Sequence, residues 1–467
     1  MRSSQVRVLS ISHVRPVQTA GVSPPRQGEH KLSFMDLLQI SKTIQRLFFF
    51  DGPDLPPFPS VVSALRSSLA ATLAVFLPLA GELAFRPGSG DVVIDFSPAA
   101  IASSPGVRFV EAELAGGADA MRRLAREDAH DAEAFARLVP ELDARRLPAP
   151  VLAVQVTRPA GGAGAVAVGV SIGHAVADGH AVWQFLRAWS TASREGPGSL
   201  AAPGFVRPTF DRAGIRHPKS AELVRSVLSR VAPALPLLRS ASSKPEIMQQ
   251  SRRTFLLRAE EIRSLKQHIL ERSGAPEPPS TYVAVSSLAW ASIARATPAM
   301  LDADDAHLMV SADCRRRLRP PLGDGFFGTC VKACYARAGA GDLRGAAGVA
   351  RAAAAIQRAI RAYLEGDPLS DAEGWVAAYG AVPKERLVTV GSSNRFAAYE
   401  TDFGWGAPSR VELVSLFAAR MVTLLGARDG GVQVSVALDV AAMDAFAANF
   451  AVPAPAPAVD GAVSEGR

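Results

Sequence analysis

The stretch AVAVGVSIGHAVADGHAVWQFLRAW (165–189) changes its period in the middle. Up to Ile172 the period is two: Val166, Val168, Val170 and Ile172 share one face, and Ala167, Gly169 and Ser171 share the other. That is a strand with one bulky and one small side. Beyond it Val182, Phe185, Leu186 and Trp189 fall at helical spacing and predict a helix over about 180 to 194. GHAVADG (173–179) is therefore a strand-to-helix junction, and upstream LAVQV (152–156) joins the strand through RPAGGAG, a hairpin signal.

His174 sits just past the strand end, on a rigid element, with Gly173 and Gly179 leaving room for a substrate. An imidazole titrates near neutral pH, so a positioned histidine can take a proton from an attacking hydroxyl and return it to a leaving group. Three other readings fail on context. GVSIG (169–173) fits the G-x-S-x-G nucleophile elbow, but Ser171 lies in register within an alternating strand and not at a sharp turn. GAGAVA (162–167) fits a dinucleotide fingerprint but opens a strand instead of a helix. His174, Asp178 and His180 carry metal-ligating groups, yet residues at i and i+4 meet only on a helix, and the flanking glycines oppose one.

The rest of the 467 residues sets bounds. At roughly 100 to 200 residues per domain the length suits two or three domains. Hydrophobic residues at 48% and charged residues at 20% exclude disordered and collagenous classes. A net charge of +7 is too mild to argue for nucleic acid and suits a protein holding a small polyanion. Cys314, Cys330 and Cys334 are odd in number and close together, so buried thiols in a reducing, cytoplasmic compartment are expected, without a disulfide framework. The N-terminal VRVLSI (6–11) reads as a strand and not as a secretory signal. Ser60 to Leu79 is apolar but holds Arg66, and predicts a core helix capped by Ser60 instead of a membrane span.

Strand-like and helical segments alternate through the first half, with one helix expected over 118 to 138. From 196 to 250 the chain is rich in Pro, Ser and Arg, a linker with a short helix near 220 to 231. Strands and helices resume at RTFLL (253–257), with a helix opening at Ser280 or Thr281 and an Ala-rich one over 343 to 364. The expected division is a first domain over 1–195, a crossover over 196–250, a second domain over 251–452 and a disordered tail over 453–467.

HAVADG (174–179) followed by Phe185 and Trp189, and DFGWG (402–406) about 220 residues later, resemble the signature pair of the BAHD acyltransferases. These move an acyl group from a coenzyme A thioester to an alcohol or amine. KLSFMDLL (31–38), QRLFFF (45–50), PLAGEL (78–83), ADCRRRL (312–318), GFFGTC (325–330) and NRFAAYETDFGWG (394–406) are similar to further landmarks. Several are similar to the branch that malonylates anthocyanin, flavonoid and phenolic glucosides, with Thr329 where that branch has Asn and SSNRF (392–396) where it has an SPRF-like segment.

The resemblance implies an α/β (α+β) fold of two chloramphenicol-acetyltransferase-like domains, each a mixed β-sheet with helices, and an active-site channel at their interface. His174 is then the general base, meeting acyl-CoA and acceptor in a ternary complex. Asp178 turns away to pair with Arg315 and brace the histidine loop beside Gly179. Asp402 holds its turn, and Trp405 either donates to an oxyanion or packs. Ser280 and Thr281 open a helix suited to coenzyme A phosphates, with the basic residues of RSLKQH (263–268) alongside, and Arg395 is the cation expected for a malonyl carboxylate. The implied protein is a monomer without a permanent cofactor, metal, membrane or nucleic-acid partner, taking malonyl-CoA and a phenolic glycoside. A hydroxycinnamoyl or acetyl transferase, or a non-catalytic acyl-CoA binder, is the alternative.

Overall fold

The computed structural model describes residues 5–452 except 20, 22–23, 163, 239–249 and 302; the expected tail and part of the expected linker lie outside the described residues. Numbered along the chain, β1 (Val6–Val14), β3 (Thr43–Phe50), β6 (Val107–Leu114), β8 (Leu152–Pro159), β9 (Val166–Gly173) and β14 (Arg410–Leu413) form a sheet in the order β1-β6-β8-β9-β3-β14. A second sheet runs β10-β16-β15-β13-β11-β12, from β10 (Ser251–Leu257), β11 (Asp305–Asp313), β12 (Val331–Gly339), β13 (Leu387–Ser393), β15 (Met421–Gly426) and β16 (Val432–Leu438). A small sheet of β2 (Glu29–Lys31), β5 (Asp91–Asp95), β4 (Glu82–Arg86) and β7 (Ala149–Pro150) flanks the first. Both large sheets mix parallel and antiparallel pairs and carry helices, an α/β fold of two halves.

The bulky face of β9 packs under α1 (Phe58–Val75) and α2 (Gly179–Glu195), where Phe76, Phe185 and Trp189 are fully buried. Its small face is small for a visible reason: a Cβ on Gly169 would lie 2.3 Å from the carbonyl oxygen of Leu138, because the chain at 138–140 crosses there. Ser171 donates to the Pro140 carbonyl at 2.5 Å, so its hydroxyl belongs to the core. In the second half α4 (Thr281–Ala296) packs against α3 (Ala259–Ser273) and α5 (Gly348–Leu364), and its Trp290 is fully buried.

Four expectations need correction. The helix over 118 to 138 is two, Gly117–Arg126 and Ala132–Arg137, since His130 N–H leaves to bond the Arg252 carbonyl at 2.9 Å. The Ala-rich helix is also two, Ala340–Arg344 and α5, interrupted at Gly345. The helix expected to be capped by Ser60 starts earlier, at Phe58 after Pro57, and Ser60 is inside it. This α1 is long and apolar enough to cross a membrane, but 67% of it is buried in the protein. Assignment of all of 251–452 to the second half fails at β14, which pairs with β3 of the first sheet from Arg410 opposite Phe49 to Leu413 opposite Arg46.

Candidate active site

β9 ends at Gly173, and the backbone N–H of His174 donates to the Lys42 carbonyl at 2.9 Å, which ties the histidine to the start of β3. Asp178 then opens α2 as its N-cap, accepting from Ala181 N–H at 3.0 Å. A Cβ on Gly173 would meet nothing closer than 3.9 Å, so no close approach requires glycine there. At Gly179 it would come 3.1 Å from the Phe396 ring, which sits where the loop reading expected substrate.

The carboxylate of Asp178 is buried and fully engaged. Arg315 donates from Nη1 to Oδ2 at 2.8 Å and from Nη2 to Oδ1 at 2.9 Å, and Cys330 N–H donates to Oδ2 at 3.0 Å. Burial raises its pKa, but Arg315 and the backbone donors outweigh this and hold the carboxyl below its usual range. The GFFGTC loop closes the clamp: Arg315 also donates to the Gly328 carbonyl at 3.0 Å, and Thr329 Oγ1 donates to the His174 carbonyl at 3.2 Å. Asp36 supports the loop from beneath, accepting Thr329 N–H at 2.9 Å while capping its own helix through Ser33. The S-x-x-D spacing in KLSFMDLL was the available signal for that cap.

His174 is enclosed but keeps some solvent access. Its Nδ1 lies 3.1 Å from the Ala177 carbonyl oxygen. A carbonyl can only accept, so Nδ1 carries the proton and Nε2 presents its lone pair. Burial first, and the Lys42 ammonium second, push the imidazole down to about 4, which keeps it neutral and able to accept a proton at physiological pH. The Phe417 ring lies 5.6 Å away and carries Lys42 Nζ at 5.6 Å on its face. His180 turns from this site toward the Asp324 carbonyl at 3.3 Å, so His174, Asp178 and His180 do not converge.

DFGWG lies elsewhere. Asp402 Oδ1 accepts from Gly404 N–H at 2.8 Å and Gly406 N–H at 2.9 Å, a turn in which both glycines have positive φ, 109° and 93°. Trp405 packs edge-on to Phe50 with centroids 5.8 Å apart. Phe50 ends β3, whereas Thr43, which begins it, pairs with Gly173. Seven residues of strand separate them by roughly 23 Å at about 3.3 Å per residue. The oxyanion-donor reading of Trp405 is thereby corrected to packing.

Ser280 caps α4, accepting from Val283 N–H at 3.3 Å, with Thr281 partly exposed beside it. Arg395 is exposed in the turn after β13. Cys314, Cys330 and Cys334 are buried, and burial raises all three thiols, Cys314 to about 12 and Cys334 to about 11.

A half-and-half α/β fold with a clamped histidine at a strand-to-helix junction defines a class of two-domain acyl-transfer proteins. The chain matches the Transferase family over residues 17–452 and belongs to it; it is an acyltransferase of the BAHD type. It is 29% identical to the malonyl-CoA:anthocyanidin 5-O-glucoside-6''-O-malonyltransferase of Arabidopsis thaliana over 479 aligned positions, 96% of this chain and 98% of the relative. Vinorine synthase shares the fold with a TM-score of 0.72 at 20% identity, over 94% of this chain and 96% of that one. The Fusarium graminearum TRI101 structure, complexed with coenzyme A and T-2 mycotoxin, does so with a TM-score of 0.65 at 16% identity, over 90% and 97%.

Proposed function

We propose that the protein transfers a malonyl group from coenzyme A to a hydroxyl of a phenolic, flavonoid or anthocyanin glucoside, with His174 as general base in a ternary complex. The supporting observation is the Nδ1 bond to Ala177, which leaves Nε2 free as the base. Nε2 takes the acceptor's hydroxyl proton as the oxygen attacks the thioester carbonyl. Collapse of the tetrahedral intermediate breaks the C–S bond, and the proton passes from Nε2 to the coenzyme A thiolate. No acyl-enzyme forms. Asp178 has no share in the proton transfer, because Arg315 occupies both of its oxygens. The exposed N-terminus of α4 at Ser280 and Thr281 offers backbone donors and a positive dipole end to a coenzyme A phosphate.

The test measures thiol release from malonyl-CoA with a phenolic glucoside. His174→Ala should lower kcat by about 10²- to 10⁴-fold, while a chelator leaves the wild type unchanged. Full activity in the variant would overturn the general-base role. Product from coumaroyl-CoA and none from malonyl-CoA would move the donor to the hydroxycinnamoyl class.

A further inference from the structure

Two buried donors lie side by side near His174, and neither has a hydrogen-bond acceptor among the described residues: Nε of Arg46 and the indole Nε1 of Trp183. Arg46 is 7% exposed and Trp183 3%, and the guanidinium carbon lies 5.8 Å over the indole ring. Among the described residues the hydrogen bond of Arg46 goes from Nη1 to the Gln45 carbonyl at 3.0 Å, and no ion pair joins it to a carboxylate. Buried donors are nearly always satisfied, so an orphaned pair on a cation calls for an acceptor.

Both residues belong to the elements that flank the histidine loop, β3 and α2. Arg46 pairs with Val170, three residues or roughly 10 Å before Gly173. Trp183 is in the first turns of α2, and its ring lies 6.1 Å from Phe396, which covers Gly179. Lys42 shares the strand parity of Arg46 and, among the described residues, bonds a neutral oxygen, Gln39 Oε1, at 2.9 Å. Both cations are near enough to His174 to disfavour its protonation, with Asp178 opposing them.

We infer that Arg46 and Trp183, with Lys42, form the receptor for the free carboxylate of a dicarboxylic acyl donor. This rests on the acyl-CoA reading of the site and replaces Arg395 as the expected cation. A carboxylate supplies acceptors to Arg46 Nε and Trp183 Nε1 and a counter-charge to Lys42. An acetyl group supplies neither, so the site discriminates by leaving its own buried donors unsatisfied. The carboxylate also offsets the two cations, so the imidazole becomes more basic only when the right donor is bound.

The experiment compares kcat/KM for malonyl-CoA and acetyl-CoA with one phenolic glucoside, and equilibrium binding of both thioesters to a His174→Ala background. Arg46→Gln and Lys42→Met should each lower the malonyl-to-acetyl ratio by roughly ten- to a hundredfold, as expected for lost charged hydrogen bonds. Arg46→Lys should recover part of it, and malonyl-CoA binding should weaken in step. Lys42 is partly exposed, so its variant keeps the test alive if Arg46→Gln does not fold. A ratio within twofold of wild type in folded variants, or parallel loss with both donors, overturns the receptor while leaving malonyl transfer standing. A wild type inert with malonyl-CoA but active with coumaroyl-CoA overturns the donor reading and the receptor with it.

Discussion

Arg315 grips both carboxylate oxygens of Asp178 across 137 residues of sequence, at 2.8 and 2.9 Å, and both side chains are buried. The turn that follows β11 in the second half thus holds the loop that carries His174. Removing one partner of such a pair strands a charge in the core, which costs about 3–5 kcal/mol. Arg315→Gln is therefore expected to lower the denaturant midpoint markedly and to lose activity through the folded fraction. Asp178→Asn with Arg315→Gln should cost less than the sum of the two, measured as a double-mutant cycle.

The low pKa of His174 has a sign that can be checked. Its folded value is about 4, against an ordinary 6.5 in an open chain. As pH falls from 6.5 through 4 the unfolded chain takes up the proton first, so this group's contribution to stability is complete above 6.5 and is lost on acidification. The acid limb of kcat/KM, which reports the free enzyme, should fall nearer pH 4 than 6.5. Lys42→Met removes the second cause after burial, so the limb should move upward.

Thr329 donates to the His174 carbonyl and is itself buried. Thr329→Val keeps the volume and deletes that donor. Expected is a lower kcat, by up to about 10²-fold for a misplaced base, with KM for the acyl donor little changed and Thr329→Ser restoring most of the rate. A change in KM alone would argue against a positioning role.

The DFGWG turn should behave as scaffold. Asp402→Ala deletes two acceptor contacts to backbone N–H groups, worth about 1–3 kcal/mol together. Thermal denaturation should show the loss, while turnover per folded molecule holds. A kcat collapse in a fully folded Asp402→Ala protein would return this loop to the chemistry.

Local pattern made the site legible where side chains answer to their own neighbours in sequence. The period switch around Ile172 marked β9, the junction and α2, and the 220–231 helix stands at Ser220–Val231. β14 was not expected, because the four residues Arg410–Leu413 carry little pattern and their pairing partner lies on β3, far away in sequence. The break of the 118–138 helix had the same origin, a bond from His130 to a strand that starts at Ser251. The structure buries Arg46 of QRLFFF against Trp183.

The sequence by itself determined the strand-to-helix setting of His174 and the family, since those depend on residue type, short-range spacing and motif order. Only the tertiary structure decided which groups surround that histidine. It set Trp405 at the far end of β3 and brought Lys42 and Arg46 close enough to depress His174, whereas the Asp178–Arg315 pair stands as the resemblance implied. Burial and charge proximity are created by packing between distant segments, and no periodicity along the chain records them.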